Sequence, residues 1–162
     1  MHLVFGSRLA QVLKPLLVVG LGNPLMGDDG VGWHVVESLA ADPRFPSDAE
    51  VIFAGTDLLR CAGRLEERRR VVLIDAVQDG AVPGTVTCFG GDLCNLETRG
   101  GGAHQLSAID ALGVLRAVAS PPEFTLIGIT VAAVSAGEAL SPALSARMPV
   151  ILDEVLRILA RG

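Results

Sequence analysis

Apolar residues along this chain fall into two rhythms. Short runs rich in Val, Ile and Leu occupy Leu16–Gly20, Val51–Gly55, Val71–Ala76, Thr85–Phe89 and Phe124–Val131. Runs of that length, with β-branched side chains and little polar alternation, predict strands covered on both faces. Three- and four-residue spacing of apolar positions predicts helices over Val31–Ala40, Asp57–Glu67, Leu106–Ala119 and Pro142–Leu159. The last pattern is the clearest. Leu144, Met148, Ile151, Leu152, Val155, Leu156 and Leu159 share one face, while Arg147, Asp153, Glu154 and Arg157 take the other. Ser141 as N-cap and Pro142 at the first helical position give that helix its start. Strands alternating with helices are the sequence form of an α/β domain with a largely parallel sheet.

The connection Gln78–Gly84 is too short to hold a crossover helix. The third and fourth strands are therefore expected to run antiparallel, as a hairpin-like edge, which makes the sheet mixed. Arg99–Ala103 contains three consecutive glycines and leads directly into His104. Residues 1–14 read as an extension ahead of a single domain over 15–162. The chain of 162 residues is long enough to bury a substantial core without staples.

Half of the residues are hydrophobic, yet no apolar run reaches the roughly 18 residues a membrane helix needs. The longest, around Thr125–Ala136, reads as a buried strand. The N-terminus lacks a basic stretch followed by an apolar core and a small-residue cleavage site, so the expected location is the cytoplasm, with no membrane partner. A net charge of −5 argues against an extended nucleic-acid surface. Cys61, Cys88 and Cys94 form no C-x-x-C pair and are expected as buried, reduced thiols. The basic cluster Arg68-Arg69-Arg70 reads as a solvated helix end whose cations complement the C-terminal dipole.

The segment Val18-Val19-Gly20-Leu21-Gly22-Asn23-Pro24-Leu25-Met26-Gly27-Asp28-Asp29-Gly30-Val31-Gly32 joins an apolar strand to a helix through a glycine-rich turn. Such a turn allows close backbone approach and aims helix amides into the loop. A phosphate would meet two carboxylates there, and Leu25 stands where a dinucleotide fingerprint needs its third glycine. The loop therefore suits a cation or acid–base chemistry. In an open α/β sheet, ligands gather at the carboxyl ends of strands. Asp29, Asp75 and His104 all fall at such positions. Two carboxylates and an imidazole suit a borderline divalent metal such as nickel or zinc, or an acid–base pair. Asp28 reads as a helix N-cap, His34 as structural, and His2 as part of a terminus. No G-x-S-x-G elbow supplies a serine nucleophile.

Gly20-x-Gly22-Asn23-x-Leu25-x-x-Asp28-Asp29-x-x-Gly32, then Ile74-Asp75-Ala76, then His104-Gln105-Leu106, resemble the three signature blocks of the hydrogenase maturation endopeptidases. The resemblance runs from about Leu16 to the end, through the Gly55-Thr56 turn and the Glu138…Leu140-Ser141-Pro142 approach to the last helix. It implies a three-layer αβα sandwich of the phosphorylase/hydrolase-like kind, with a mixed, mostly parallel five-stranded sheet and a metal-binding cleft at one edge. It also implies an aspartic-type, nickel-dependent endopeptidase that removes a C-terminal extension from the [NiFe] hydrogenase large-subunit precursor. By the same resemblance Asp29, Asp75 and His104 are both catalytic and nickel-contacting, and the nickel is supplied by the substrate. The long approach to the first strand and the Gly-Gly-Gly-Ala run before His104 depart from the family pattern. Two other readings stand beside it. Gly20-Leu21-Gly22-Asn23-Pro24 also matches the opening of peptidyl-tRNA hydrolase, though the acidic pair does not continue that pattern. A non-enzymatic nickel-binding or delivery module would use the same three ligands.

Overall fold

The computed structural model describes residues 14–66, 68–90 and 122–161. The extension before Lys14, the helix expected over Leu106–Ala119, Cys94, the Arg99–Ala103 run and His104 lie outside these residues. Five strands form one sheet in the order β2-β1-β3-β5-β4. They are β1 (Leu16–Leu21), β2 (Ala49–Gly55), β3 (Arg70–Val77), β4 (Val86–Gly90) and β5 (Glu123–Thr130). β1 pairs in parallel with β2 and β3, and β3 in parallel with β5. The mixed α/β architecture is the one expected.

β4 departs from expectation in its partner. It runs antiparallel at the edge, as anticipated, but pairs with β5 (Val86 opposite Ile129) and not with β3. The reason lies in the turn after β3. Gly84 donates to the Thr130 carbonyl, and the Thr130 amide to Thr85, which stitches the chain to the end of β5. Asp79 reinforces the stitch by accepting from the Thr130 hydroxyl and the Ala81 amide.

Strand residues alternate between two apolar layers. Val18, Val72, Ile74, Ile127 and Ile129 face α1 (Val31–Ala41) and α3 (Pro142–Leu159). Leu17, Val19, Val71, Leu73 and Leu126 face the opposite side, where Leu58 and Leu65 cover them. The central strands are thus buried on both faces, which explains their unbroken apolar runs. The region expected as one helix over Asp57–Glu67 is instead a 3-10 turn, Leu58–Cys61, followed by the short α2, Ala62–Leu65. Asp57 caps the turn by accepting from the Leu59 amide, and Gly63 gives a continuous helix little support.

α3 forms over the residues that periodicity predicted, with Ser141 accepting from the Leu144 amide as N-cap. The apolar stretch to Ala136 does not remain a strand: β5 ends at Thr130, and residues 132–139 are exposed. Arg68 is not solvated. It is buried and donates to the Arg64 and Lys14 carbonyls and to Glu50 (3.0, 2.7 and 2.6 Å). Burial pushes its guanidinium below the usual value. It does bond a helix-terminal carbonyl, but from inside the protein. Cys61 is half-buried and Cys88 exposed, both reduced, so β4 carries its thiol outward against expectation. Among the described residues no helix is long and apolar enough to cross a membrane.

Candidate active site

The strand order reverses between β1 and β3. From β1 the chain crosses to β2 on one side, while β3 lies on the other. Such a switch point opens a crevice beyond the carboxyl ends of the two strands. Asp29 lies in the turn Gly27–Gly30 that follows β1, and Asp75 near the carboxyl end of β3, so both belong to the sheet edge where such a crevice is expected.

Glycines let the loop fold this tightly. Gly22, at φ +115°, carries its α-carbon against the Asp29 carbonyl, where any side chain would overlap. Its amide donates to the Gly55 carbonyl at the end of β2 (2.9 Å). Pairing of β1 with β2 shifts register between Gly20 and Leu21, at the residue where β1 ends. Gly32, in the first turn of α1, lies so close that a β-carbon would stand 2.8 Å from the Ile74 carbonyl. The acidic turn is thereby pressed onto the end of β3, one residue before Asp75.

Both carboxylates are almost fully buried, Asp29 at 4% and Asp75 at 2% exposure. Burying such groups is expensive unless they are hydrogen-bonded. Asp29 Oδ2 accepts from the Asn23 amide at 2.8 Å, which curls the loop back on itself. Asp75 Oδ1 accepts from the Ala76 amide at 2.8 Å. By strand alternation Asp75 shares its face with Val71 and Leu73, the side covered by α2.

Asp28 is not a helix N-cap. The 3-10 turn Gly27–Gly30 and α1 have Met26 and Gly30 at their cap positions, neither bonding through its side chain. The Asp28 carboxylate turns the other way, accepting from the Ser141 amide (2.7 Å) and hydroxyl (2.8 Å) at the start of α3. Gly27 and Gly137 add a second tie: Gly27 donates to the Gly137 carbonyl (2.6 Å), and Gly137 to that of Leu25 (2.9 Å). This partnership spans 113 residues of chain and leaves no local signal, although Ser141 was visible as a helix start. His34 is partly buried on α1, with Nε2 enclosed.

Among the described residues no three His, Cys, Asp or Glu side chains cluster as a metal site. Among the described residues the donors at this sheet edge are two carboxylates, hard oxygen ligands that fit a divalent cation only as part of a larger set. His104 falls outside the described residues, so of the expected trio only Asp29 and Asp75 are described. The arrangement can orient a polarised substrate and accept protons from water.

A family model described as HycI, Hydrogenase maturation protease, matches residues 33–158. The Hydrogenase 2 maturation protease of Escherichia coli K12 is 29% identical over 89% of this chain and 90% of its own. HupD, a hydrogenase expression/formation protein of Rhodobacter capsulatus, is 29% identical over 88% of this chain and 70% of its own. Among solved structures, the E. coli hydrogenase-maturating endopeptidase HybD superposes with a TM-score of 0.79 at 29% identity, covering 90% of this chain and 92% of its own. The [NiFe] hydrogenase maturation protease HybD of Thermococcus kodakarensis gives 0.75 at 31% identity, covering 88% and 97%. A family model matched over most of the length and a shared fold lead to one assignment: the chain belongs to the hydrogenase maturation protease family, a family of peptidases.

Proposed function

We propose that this protein removes the C-terminal extension of a nickel-loaded [NiFe] hydrogenase large-subunit precursor, with Asp29, Asp75 and His104 contacting the nickel that the precursor brings. Two nearly buried carboxylates at the carboxyl ends of adjacent parallel strands, beyond the switch point of the sheet, carry this reading. Cysteine thiolates of the precursor would supply soft donors that Asp29, Asp75 and His104 do not offer, and the carboxylates and imidazole would complete the coordination. The metal is thus part of the substrate.

Hydrolysis of the peptide then needs an activated water, a polarised carbonyl and a proton for the departing amine. Asp29 is fixed by the Asn23 amide and Asp75 by the Ala76 amide, so both offer oriented oxygens. The precursor's nickel would help orient the scissile bond, while one carboxylate would take the proton from the attacking water and pass it to the departing amine. Among the described cysteines, Cys61 is a poor nucleophile, its thiol pushed up by burial and by Asp57. The proposed setting is the cytoplasm, where the precursor is made. The test is incubation with precursor loaded with nickel or stripped by chelator, followed by intact mass. Loss of the C-terminal peptide only from the loaded form is expected. Equal cleavage of stripped precursor would remove nickel from the account and leave an ordinary carboxylate acid–base pair.

A further inference from the structure

The acidic pair divides its labour in space. Asp29 faces inward to Asn23, while its neighbour Asp28 is spent on Ser141, both oxygens engaged and only 5% exposed. Ser141 in turn holds the first turn of α3 through the Leu144 amide. The Asp28–Ser141 contact thus ties the 3-10 turn to an eighteen-residue helix whose Leu144, Ile151 and Val155 are fully buried in the core. A charged acceptor with two donors is among the stronger hydrogen-bond arrangements. The turn itself is only four residues long and has no side-chain cap of its own. Further ties include the Gly22–Gly55 and Gly27–Gly137 backbone bonds and the Asn23–Asp29 bond.

We infer that Asp28 is a positioning residue, which through Ser141 anchors the acidic turn to the start of α3 and so fixes the Asp29 carboxylate for processing. The inference rests on the proposed role of Asp29. Both Asp28 oxygens are engaged by Ser141, so it acts through that contact. The reaction senses it as placement, because a misplacement of about 1 Å costs on the order of 100-fold in rate. Binding of a whole precursor draws on a wider surface, so kcat falls and KM holds.

Ser141→Ala removes the hydroxyl tie and the cap together. Ser141→Thr keeps a hydroxyl for both, and Asp28→Asn keeps the shape of the acceptor while removing its charge. Amide exchange in the free protein reads the carboxylate's place directly, since the Asn23 amide is bonded to Asp29. In Ser141→Ala and Asp28→Asn, Asn23 exchange is expected to rise by about tenfold or more while Leu73 in β3 keeps its protection. Ser141→Thr is expected to restore the wild-type pattern. On nickel-loaded precursor, kcat falls by about tenfold or more with KM within about twofold, and Ser141→Thr restores it. Unchanged Asn23 exchange in variants that remain folded overturns the inference. So does parallel loss of protection at Asn23 and Leu73, which marks a general loss of stability. A wild-type protein that leaves the precursor uncut fails the functional reading instead, and the exchange result still decides whether the clamp holds Asp29.

Discussion

Gly32→Ala tests whether the close seat of α1 on the sheet sets the site. The added β-carbon would stand 2.8 Å from both the Ile74 carbonyl oxygen and the Leu21 nitrogen, and nearer still to the Leu21 carbonyl. Ordinary contact begins at 3.4 Å. Subtracting 2.8 from 3.4 gives 0.6 Å as the least separation α1 must gain from β3, and Leu21 demands more. These neighbours are backbone atoms on two central strands, so no side chain can swing away. Overpacking costs about 1–3 kcal/mol, and the upper end is expected here. For a chain of this size about 3 kcal/mol lowers Tm by roughly 6–12 °C. Asp29 rides on the turn that opens α1, so a displacement of about 1 Å carries a loss of roughly 100-fold in processing. Thermal unfolding and mass-detected cleavage at a temperature well below the transition measure the two effects. Gly63→Ala is the control, because nothing lies within 4 Å of its added carbon, and it should keep full activity. A Gly32→Ala protein with Tm within about 2 °C of wild type and processing within about twofold would refute the argument.

Asp75→Asn should abolish cleavage while the thermal transition survives, since the amide oxygen still accepts from Ala76; a lost transition would make Asp75 structural. The Arg44 hydrogen bonds hold Asp42 below the usual carboxylate range. Its contribution is complete above the ordinary value near ~4 and disappears as pH falls through the lower folded value. The Tm difference between wild type and Arg44→Met should therefore shrink on acidification, and a pH-independent difference would contradict it. Burial, then the charge of Asp57, pushes the Cys61 thiol up. Alkylation of Cys61, followed by peptide mass mapping, should be slower in the folded protein than in the denatured chain; equal rates would count against this placement.

Hydrophobic rhythm revealed most of the fold because it reports burial directly. β1, β3 and β5 are buried on both faces and read as unbroken runs, and α3 has a wide apolar stripe. The errors fall where a distant partner decides. Local charge near Arg68 suggested a solvated helix end, but Glu50 and the Lys14 carbonyl draw it inside. A carboxylate at a helix start suggests a cap, yet Ser141 lies 113 residues away. The length of Gln78–Gly84 limited the direction of β4 without naming its partner. At the site, Asp75 was legible because a carboxylate closing a buried strand demands an explanation. Asp29 was legible through its glycine frame. What local spacing could not express was that its neighbour faces the opposite way.

Trp33 sits one helical turn beyond Asp29, half-buried, with its ring edge-on to Phe53 at 5.0 Å and 71°. It is the single tryptophan of a chain that has no tyrosine. Intrinsic emission therefore arises from one indole, on the helix that carries the acidic turn and against the strand that ends at the same crevice. Any event that shifts α1 against β2 alters the polarity and quenching around that ring. The protein thus carries its own unlabelled optical reporter, by which arrival of a precursor can be timed separately from the cut.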